Sequence, residues 1–171
     1  MADPERTRTL ILMRHAKSDW PVGVQDSDRP LAARGRRDAP AAAAWIRNSI
    51  GLPELIVTSP AERTRQTVEL LLDTWSAQRE VVIDDRIYEA EVRDLVTVVE
   101  GLPDGLRTAL LVGHNPGLEQ FASTWPSAAD PQASRTLTEK FPTSAIAVID
   151  VAGAWGDRSS AVLRRVDVPR G

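Results

Sequence analysis

Two uninterrupted apolar runs, Thr9-Leu10-Ile11-Leu12-Met13 and Thr108-Ala109-Leu110-Leu111-Val112, leave no polar face for water. Short runs of this kind, bounded by turn residues, read as buried strands. A sheet that contains them needs cover on both faces, and helical patterns stand between the runs to supply it. The chain has only two histidines, and each follows one of these runs: His15 directly after Arg14, and His114 after Gly113. In an open α/β sheet, ligands bind beyond the carboxyl ends of the strands. Strand-end histidines about a hundred residues apart can therefore share one cleft.

The remaining pattern supports that layout. Ala39, Ala42, Ala43, Ile46 and Ile50 recur at helical spacing, and Gly51 with Pro53 stops that helix. Pro40 conflicts with a start as early as Leu31, so the helix begins near Asp38 or is kinked. Residues 55–58 form a second strand. Ser59 is placed to cap the next helix, with Pro60 in its first turn and Glu62 completing a capping box. Val68, Leu71, Leu72 and Trp75 supply that helix's core stripe. Residues 81–83 are a short third strand. Val92, Leu95, Val96, Val99 and Leu102 mark a further helix, stopped by Gly101 and Pro103.

Asn115-Pro116 repeats the cap-and-proline start ahead of Leu118, Phe121, Ala122 and Trp125. The polar stretches 18–30 and 123–139 read as loops, and 145–149 with 161–166 as a closing hairpin. The order βαβαβαβαββ predicts an α/β fold, a three-layer αβα sandwich with a mostly parallel central sheet. A single domain is expected over 1–171.

Composition narrows the function classes. A formal net charge of −3 argues against a nucleic-acid binder that works through a global basic field. There is no cysteine, which removes disulfides, thiol catalysis and thiolate metal ligands. Two histidines without cysteine make a poor zinc set, and neither metal nor cofactor is expected. The segment 1–6 has no apolar leader and no run approaches a membrane span, so no membrane partner, a cytoplasmic location and a monomer are the expectations.

Arg14, His15, Arg63 in the first turn after strand two, and His114 meet at one sheet edge under this layout. Helix N-termini add partial positive charge there. Two guanidiniums and one protonated imidazole around a second imidazole suit a phosphoryl group held for in-line attack. Arg65, two residues from Arg63, faces elsewhere and reads as a surface ion pair. Lys17 reads as a solvated loop charge, and Asp26, Asp28 and Arg29 as braces of their loop. Trp45, Trp75 and Trp125 fall at core spacing, while Trp20-Pro21 is a candidate wall of the pocket.

Arg14-His15-Ala16-Lys17-Ser18-Asp19-Trp20 resembles the first signature of the histidine phosphatase, or phosphoglycerate mutase-like, superfamily. The stretch from Ser59-Pro60-Ala61-Glu62-Arg63 to Gln66-Thr67 is similar to its second block, and Gly113-His114-Asn115 to its third. Asp28-Arg29-Pro30-Leu31, Arg34-Gly35 and Phe141-Pro142-Thr143 resemble the SixA-like branch, whose members are phosphohistidine phosphatases. The resemblance implies His15 as nucleophile, with Arg14, Arg63 and His114 catalytic and phosphate-binding and Ser18 lining the phosphate pocket. Glu89 occupies the place of the superfamily's proton donor. Pro21 stands where mutases carry a phosphate-binding asparagine, which weakens a mutase reading. The implied substrate is a phosphohistidine-bearing protein or a small phosphorylated molecule. A broad phosphomonoester phosphatase using Glu89, and a non-catalytic phosphate-binding module, are the alternatives.

Overall fold

The structure, a computed structural model, describes residues 7–171; the leader expectation for 1–6 lies outside them. Its centre is β1 (Arg8–Arg14), paired in parallel with β4 (Thr108–Gly113) on one side and antiparallel with β6 (Ile146–Val151) on the other. Beyond β4 lie β2 (Leu55–Thr58) and β3 (Glu80–Ile83), both parallel. Beyond β6 lie antiparallel β7 (Ala161–Asp167) and a two-residue β5 (Ala128–Ala129). The order is β3-β2-β4-β1-β6-β7-β5, which is the expected mostly parallel α/β sheet.

Alternation along the strands builds a core on each face. Ile11 and Met13 of β1 point into a cluster with Ala42, Ala43 and Ile46 of α1 (Ala33–Ser49) and Val68, Leu71 and Trp75 of α2 (Glu62–Trp75). Leu10 and Leu12 point the other way. There they meet the helices α3 (Val92–Glu100), α4 (Gly117–Thr124) and α5 (Pro131–Glu139), through Leu95, Phe121 and Leu137 among others. No helix among the described residues is long and apolar enough to cross a membrane.

Two local expectations are corrected. The first helix starts at Ala33 and runs through Pro40. An interior proline costs roughly 3 kcal/mol, but buried Gly35, Asp38 and Ala39 tie the early turns down. Asp38 accepts from Arg34 Nε, Arg170 Nη1 and the Gly171 backbone. The stretch 123–139 is not a loop throughout, since it holds β5 and α5. Asp130 caps α5 by accepting from the Gln132 and Ala133 amides, and Pro131 fits its first turn. Only Ala133 and Leu137 of α5 are buried, so the apolar pattern is thin. Finally, β3 forms as expected but at the sheet edge, with Val81, Val82 and Ile83 exposed.

Gly35 fixes how α1 meets the segment after β1. A Cβ at Gly35 would sit 2.1 Å from the Lys17 carbonyl oxygen, closer than any side chain tolerates. Gly35→Ala is therefore expected to destabilise the protein by roughly 1–3 kcal/mol, read as a lowered midpoint in urea unfolding. An unchanged midpoint would show that the helix and the His15 segment are not locked together.

Candidate active site

The register of the central strands brings the histidines together. Arg14 pairs with Gly113 across the β1–β4 ladder, and the His15 amide donates to the Gly113 carbonyl at 3.0 Å. The residues after each strand end, His15 and His114, thus emerge side by side, with ring centroids 5.3 Å apart. Thr67 of α2 holds the loop beyond: its hydroxyl donates to the Arg63 carbonyl at 2.7 Å and accepts from the Ala16 amide at 3.1 Å.

Hydrogen bonding assigns both tautomers. His15 is 6% exposed, and its Nδ1 lies 2.7 Å from the Ala16 carbonyl oxygen, which only accepts. Nδ1 therefore carries the proton, and Nε2 of the neutral ring keeps its lone pair. His114 Nδ1 faces Arg63 Nη2 at 3.2 Å, and a guanidinium only donates. His114 Nε2 consequently carries the proton and donates to Ser59 Oγ at 2.7 Å.

Both rings are held neutral. Burial pushes His15 down to about 3, despite the Ala16 hydrogen bond, with His114, Arg63 and Arg14 adding repulsion. Burial followed by the Arg63 charge lowers His114 to about 4. The expectation of a protonated imidazole beside the nucleophile is thus corrected: His114 accepts from a cation, and the positive charge resides on the two arginines.

Arg63 is 6% exposed and donates through Nη1 to the Asp26 carbonyl at 2.6 Å and through Nη2 to Asp26 Oδ2 at 3.1 Å. Arg14 donates through Nη1 to the Phe141 carbonyl at 3.2 Å. Burial, followed by Arg63 as the lesser of two charges, lowers the Arg14 pKa, while Glu119 raises it. The Nε–H groups of both arginines are buried without a protein acceptor. Such donors are costly to leave unpaired, by about 1–3 kcal/mol each, and an oxyanion is the natural acceptor for them.

The four principal residues are therefore assembled, and the others are placed as follows. Ser18 is 4% exposed, and its hydroxyl accepts from Arg29 Nη2 at 2.6 Å. Glu89 is exposed on the wall of a cleft of about 420 Å³ that also includes Asp26, Arg63, Tyr88 and His114. Its backbone takes the left-handed conformation, φ 54°, unusual for a glutamate. Trp20 does not line that cleft; it is 71% exposed, with the Arg29 guanidinium 3.2 Å over its ring. Among the described residues, the Arg65 side chain makes a surface pair with Glu62, at 3.9 Å.

Sequence reasoning missed three neighbours. Ser59 does not cap α2, which starts at Glu62 without a side-chain cap; it meets His114 instead. Asn115 likewise does not cap α4, and its Nδ2 donates to Glu119 and to the Phe141 carbonyl, each at 2.9 Å. Asp26 braces Arg29 as expected, at 3.0 Å, but also clamps Arg63 and accepts from the Tyr88 hydroxyl at 2.6 Å. That hydroxyl, followed by Arg29 and Arg63, holds the Asp26 carboxyl down at about 2. The Tyr88 ring stands edge-on to His114 with centroids 5.6 Å apart.

Comparison with known proteins places this geometry. The family model of the histidine phosphatase superfamily (branch 1) matches residues 10–104. An uncharacterized protein of Mycobacterium tuberculosis is 37% identical over 162 residues, covering 92% of this chain and all of that protein. Among solved structures, a candidate phosphohistidine phosphatase SixA from Nakamurella multipartitia superposes with a TM-score of 0.85. It shares 33% identity across 98% of this chain and 99% of its own. A candidate SixA from Agrobacterium tumefaciens gives 0.75 at 28% identity, over 85% of this chain and 93% of its own.

The lowered histidines make stability depend on pH with a definite sign. Unfolded histidine titrates near 6.5, so below that value the unfolded chain binds protons that the folded site refuses. The stabilising contribution is whole above about pH 6.5 and falls as acid is added, through 4 for His114 and 3 for His15. Each group adds a slope of up to about 1.4 kcal/mol per pH unit. His114→Gln is expected to remove about one proton from the slope of unfolding free energy between pH 6 and 4.5, measured by urea titration. A variant whose slope matches the parent would mean that His114 is protonated in the folded protein.

Proposed function

The chain belongs to the histidine phosphatase superfamily (branch 1) and is a phosphatase, and on that premise we propose that it removes the phosphoryl group from phosphohistidine in a partner protein. One observation carries the reading: His15 Nδ1–H is tied to the Ala16 carbonyl, which leaves a neutral, unprotonated Nε2 as nucleophile beside two arginines. The non-catalytic alternative falls with membership of a hydrolase family.

In the first step, the Nε2 lone pair forms an N–P bond as the substrate's P–N bond breaks. The substrate imidazole departs with that electron pair and takes a proton from solvent. Arg14 and Arg63 hold the equatorial oxygens, where phosphoryl transfer gains most from fixed positive charge. His114 keeps its Nε2–H on Ser59 Oγ and accepts from Arg63 at Nδ1, which holds that guanidinium in register beside the nucleophile. In the second step, water attacks phosphorus and the His15–P bond breaks. Inorganic phosphate leaves, and His15 is again neutral.

The leaving group separates the two substrate classes. An imidazole, whose conjugate acid titrates near 6.5, departs without strong acid help. An ester expels an alkoxide, for which a general acid gives about 10²–10⁴-fold. The SixA proteins among the structural relatives favour the first class. The second has one specific support, the left-handed backbone that sets Glu89 on the His114 cleft. Backbone strain of this kind clusters at functional sites.

His15→Ala is expected to lower phosphohistidine turnover by about 10³-fold or more. A rapid quench of the parent enzyme, handled at alkaline pH, should locate phosphate on His15 by mass spectrometry. Phosphate on a serine would sink the covalent assignment. Glu89→Gln, assayed side by side on a phosphohistidine protein and on phosphoesters, should change the former by less than about threefold. A parent that prefers esters, with a variant that loses about 10²-fold on them, would transfer the assignment to the ester phosphatase.

A further inference from the structure

A second groove, about 450 Å³, adjoins the site through Arg14 and Asn115. It gathers five cations, Arg14, Lys17, Arg34, Lys140 and Arg170, in a chain whose net charge is −3. Two carboxylates share the lining, and one of them, Glu119, accepts a hydrogen bond from Asn115 Nδ2 at 2.9 Å. Asp38 partly offsets Arg34 and Arg170, at 3.3 and 3.1 Å. Lys17 and Lys140 are exposed and have no ion-pair partner among the described residues. A solvated lysine face ordinarily means nothing beyond solubility, but these two flank the machinery. Lys17 lies two residues beyond His15, and Lys140 precedes Phe141, whose carbonyl accepts from both Arg14 and Asn115.

The neighbouring cleft, which shares Asn115 with the groove, has the reverse character, with Asp26, Glu89 and Glu91 against Arg63. Arg14 lines the basic groove and Arg63 and His114 line the acidic-walled cleft, so the two openings meet at the site. We propose that the basic groove is a specificity subsite for the acidic side chains that flank phosphohistidine in the partner protein. This rests on the phosphohistidine reading and names which surface of the partner docks. At about 450 Å³ the groove has room for more than a lone anion. Complementary charge sets orientation and encounter rate, so the acidic segment settles along Lys17 and Lys140 and the imidazole leaving group faces Glu89.

Fluorescence anisotropy on the full chain, at low ionic strength, tests the subsite. The probes are labelled peptides that carry a non-hydrolysable triazole analogue of phosphohistidine, flanked by glutamates or by neutral residues. The acidic peptide is expected to bind about tenfold more tightly, an advantage lost in the double variant Lys17→Glu, Lys140→Glu. Arg65→Glu, a charge reversal on the exposed face of α2, should retain it. Equal binding of the two peptides, or an advantage that survives in the double variant, overturns the subsite and leaves the phosphatase reading intact. If a glutamate peptide without the phosphoryl analogue shows the same lysine dependence and the analogue adds nothing, the subsite holds and the phosphohistidine reading falls.

Discussion

The hydrogen bond from the His15 amide to the Gly113 carbonyl extends the parallel β1–β4 ladder just past the point where chemistry begins. Everything at the site takes its position from it. Because Arg14 is level with Gly113, the next residue on each strand is a histidine, and neither has freedom to slip. A slip by one residue would turn Leu10 and Leu12 toward the α1–α2 face and send Ile11 and Met13 the other way, reversing both cores. The hydrophobic pattern of β1 thus fixes the catalytic register. Gly113 is part of the same constraint, since a Cβ there would lie 2.8 Å from Ile87 Cγ2.

On this strand frame a polar network orients one guanidinium. Arg63 is almost fully buried, whereas its carboxylate partner Asp26 is half-exposed, so the pair gains little from charge alone. Its effect is directional. The Asp26 carbonyl and carboxylate take two donors of Arg63, the Tyr88 hydroxyl and Arg29 steady the same carboxylate, and His114 accepts a further donor. Four separate segments of chain are thereby locked around one cation. A phosphoryl group bound as proposed would meet an arginine whose geometry is settled beforehand, which is where electrostatic catalysis derives its strength.

The sheet and the convergence of Arg14, His15, Arg63 and His114 at one edge were legible because their signals are local and strong. An unbroken apolar run reads as a buried strand, and the residue at its end needs only the parallel topology to be placed. α5 was not legible, since only Ala133 and Leu137 reach the core and the rest of its face is polar. Ser59 was misread for a subtler reason: a serine before proline carries the same cap signal whether its hydroxyl bonds a helix amide or an imidazole. Asp26 and Tyr88 are 62 residues apart, and no spacing rule joins them. The charge of His114 depended on the direction of one Arg63 donor, a tertiary fact that composition does not hold.

Two neutral imidazoles beside two guanidiniums form a site with its electrostatic demand turned outward. Burial makes protonating either ring unfavourable, and the charges of Arg63 and Arg14 add to the cost. A phosphoryl dianion reverses the sign of that environment, because each cation that opposed a proton now favours the anion. The two guanidiniums that add to burial in keeping the His15 ring unprotonated are therefore also placed to favour an anion beside it. The same field acts on the leaving side. Under the proposed reaction, a leaving imidazole that gains a proton is better matched by the carboxylates of Glu89 and Glu91 than by the lysine-lined groove. A departing alkoxide would meet those carboxylates with like charge unless one of them had first given up a proton. On the proposed reading, the distribution of charge around the site, more than any single residue, would set an imidazole apart from an alcohol as leaving group.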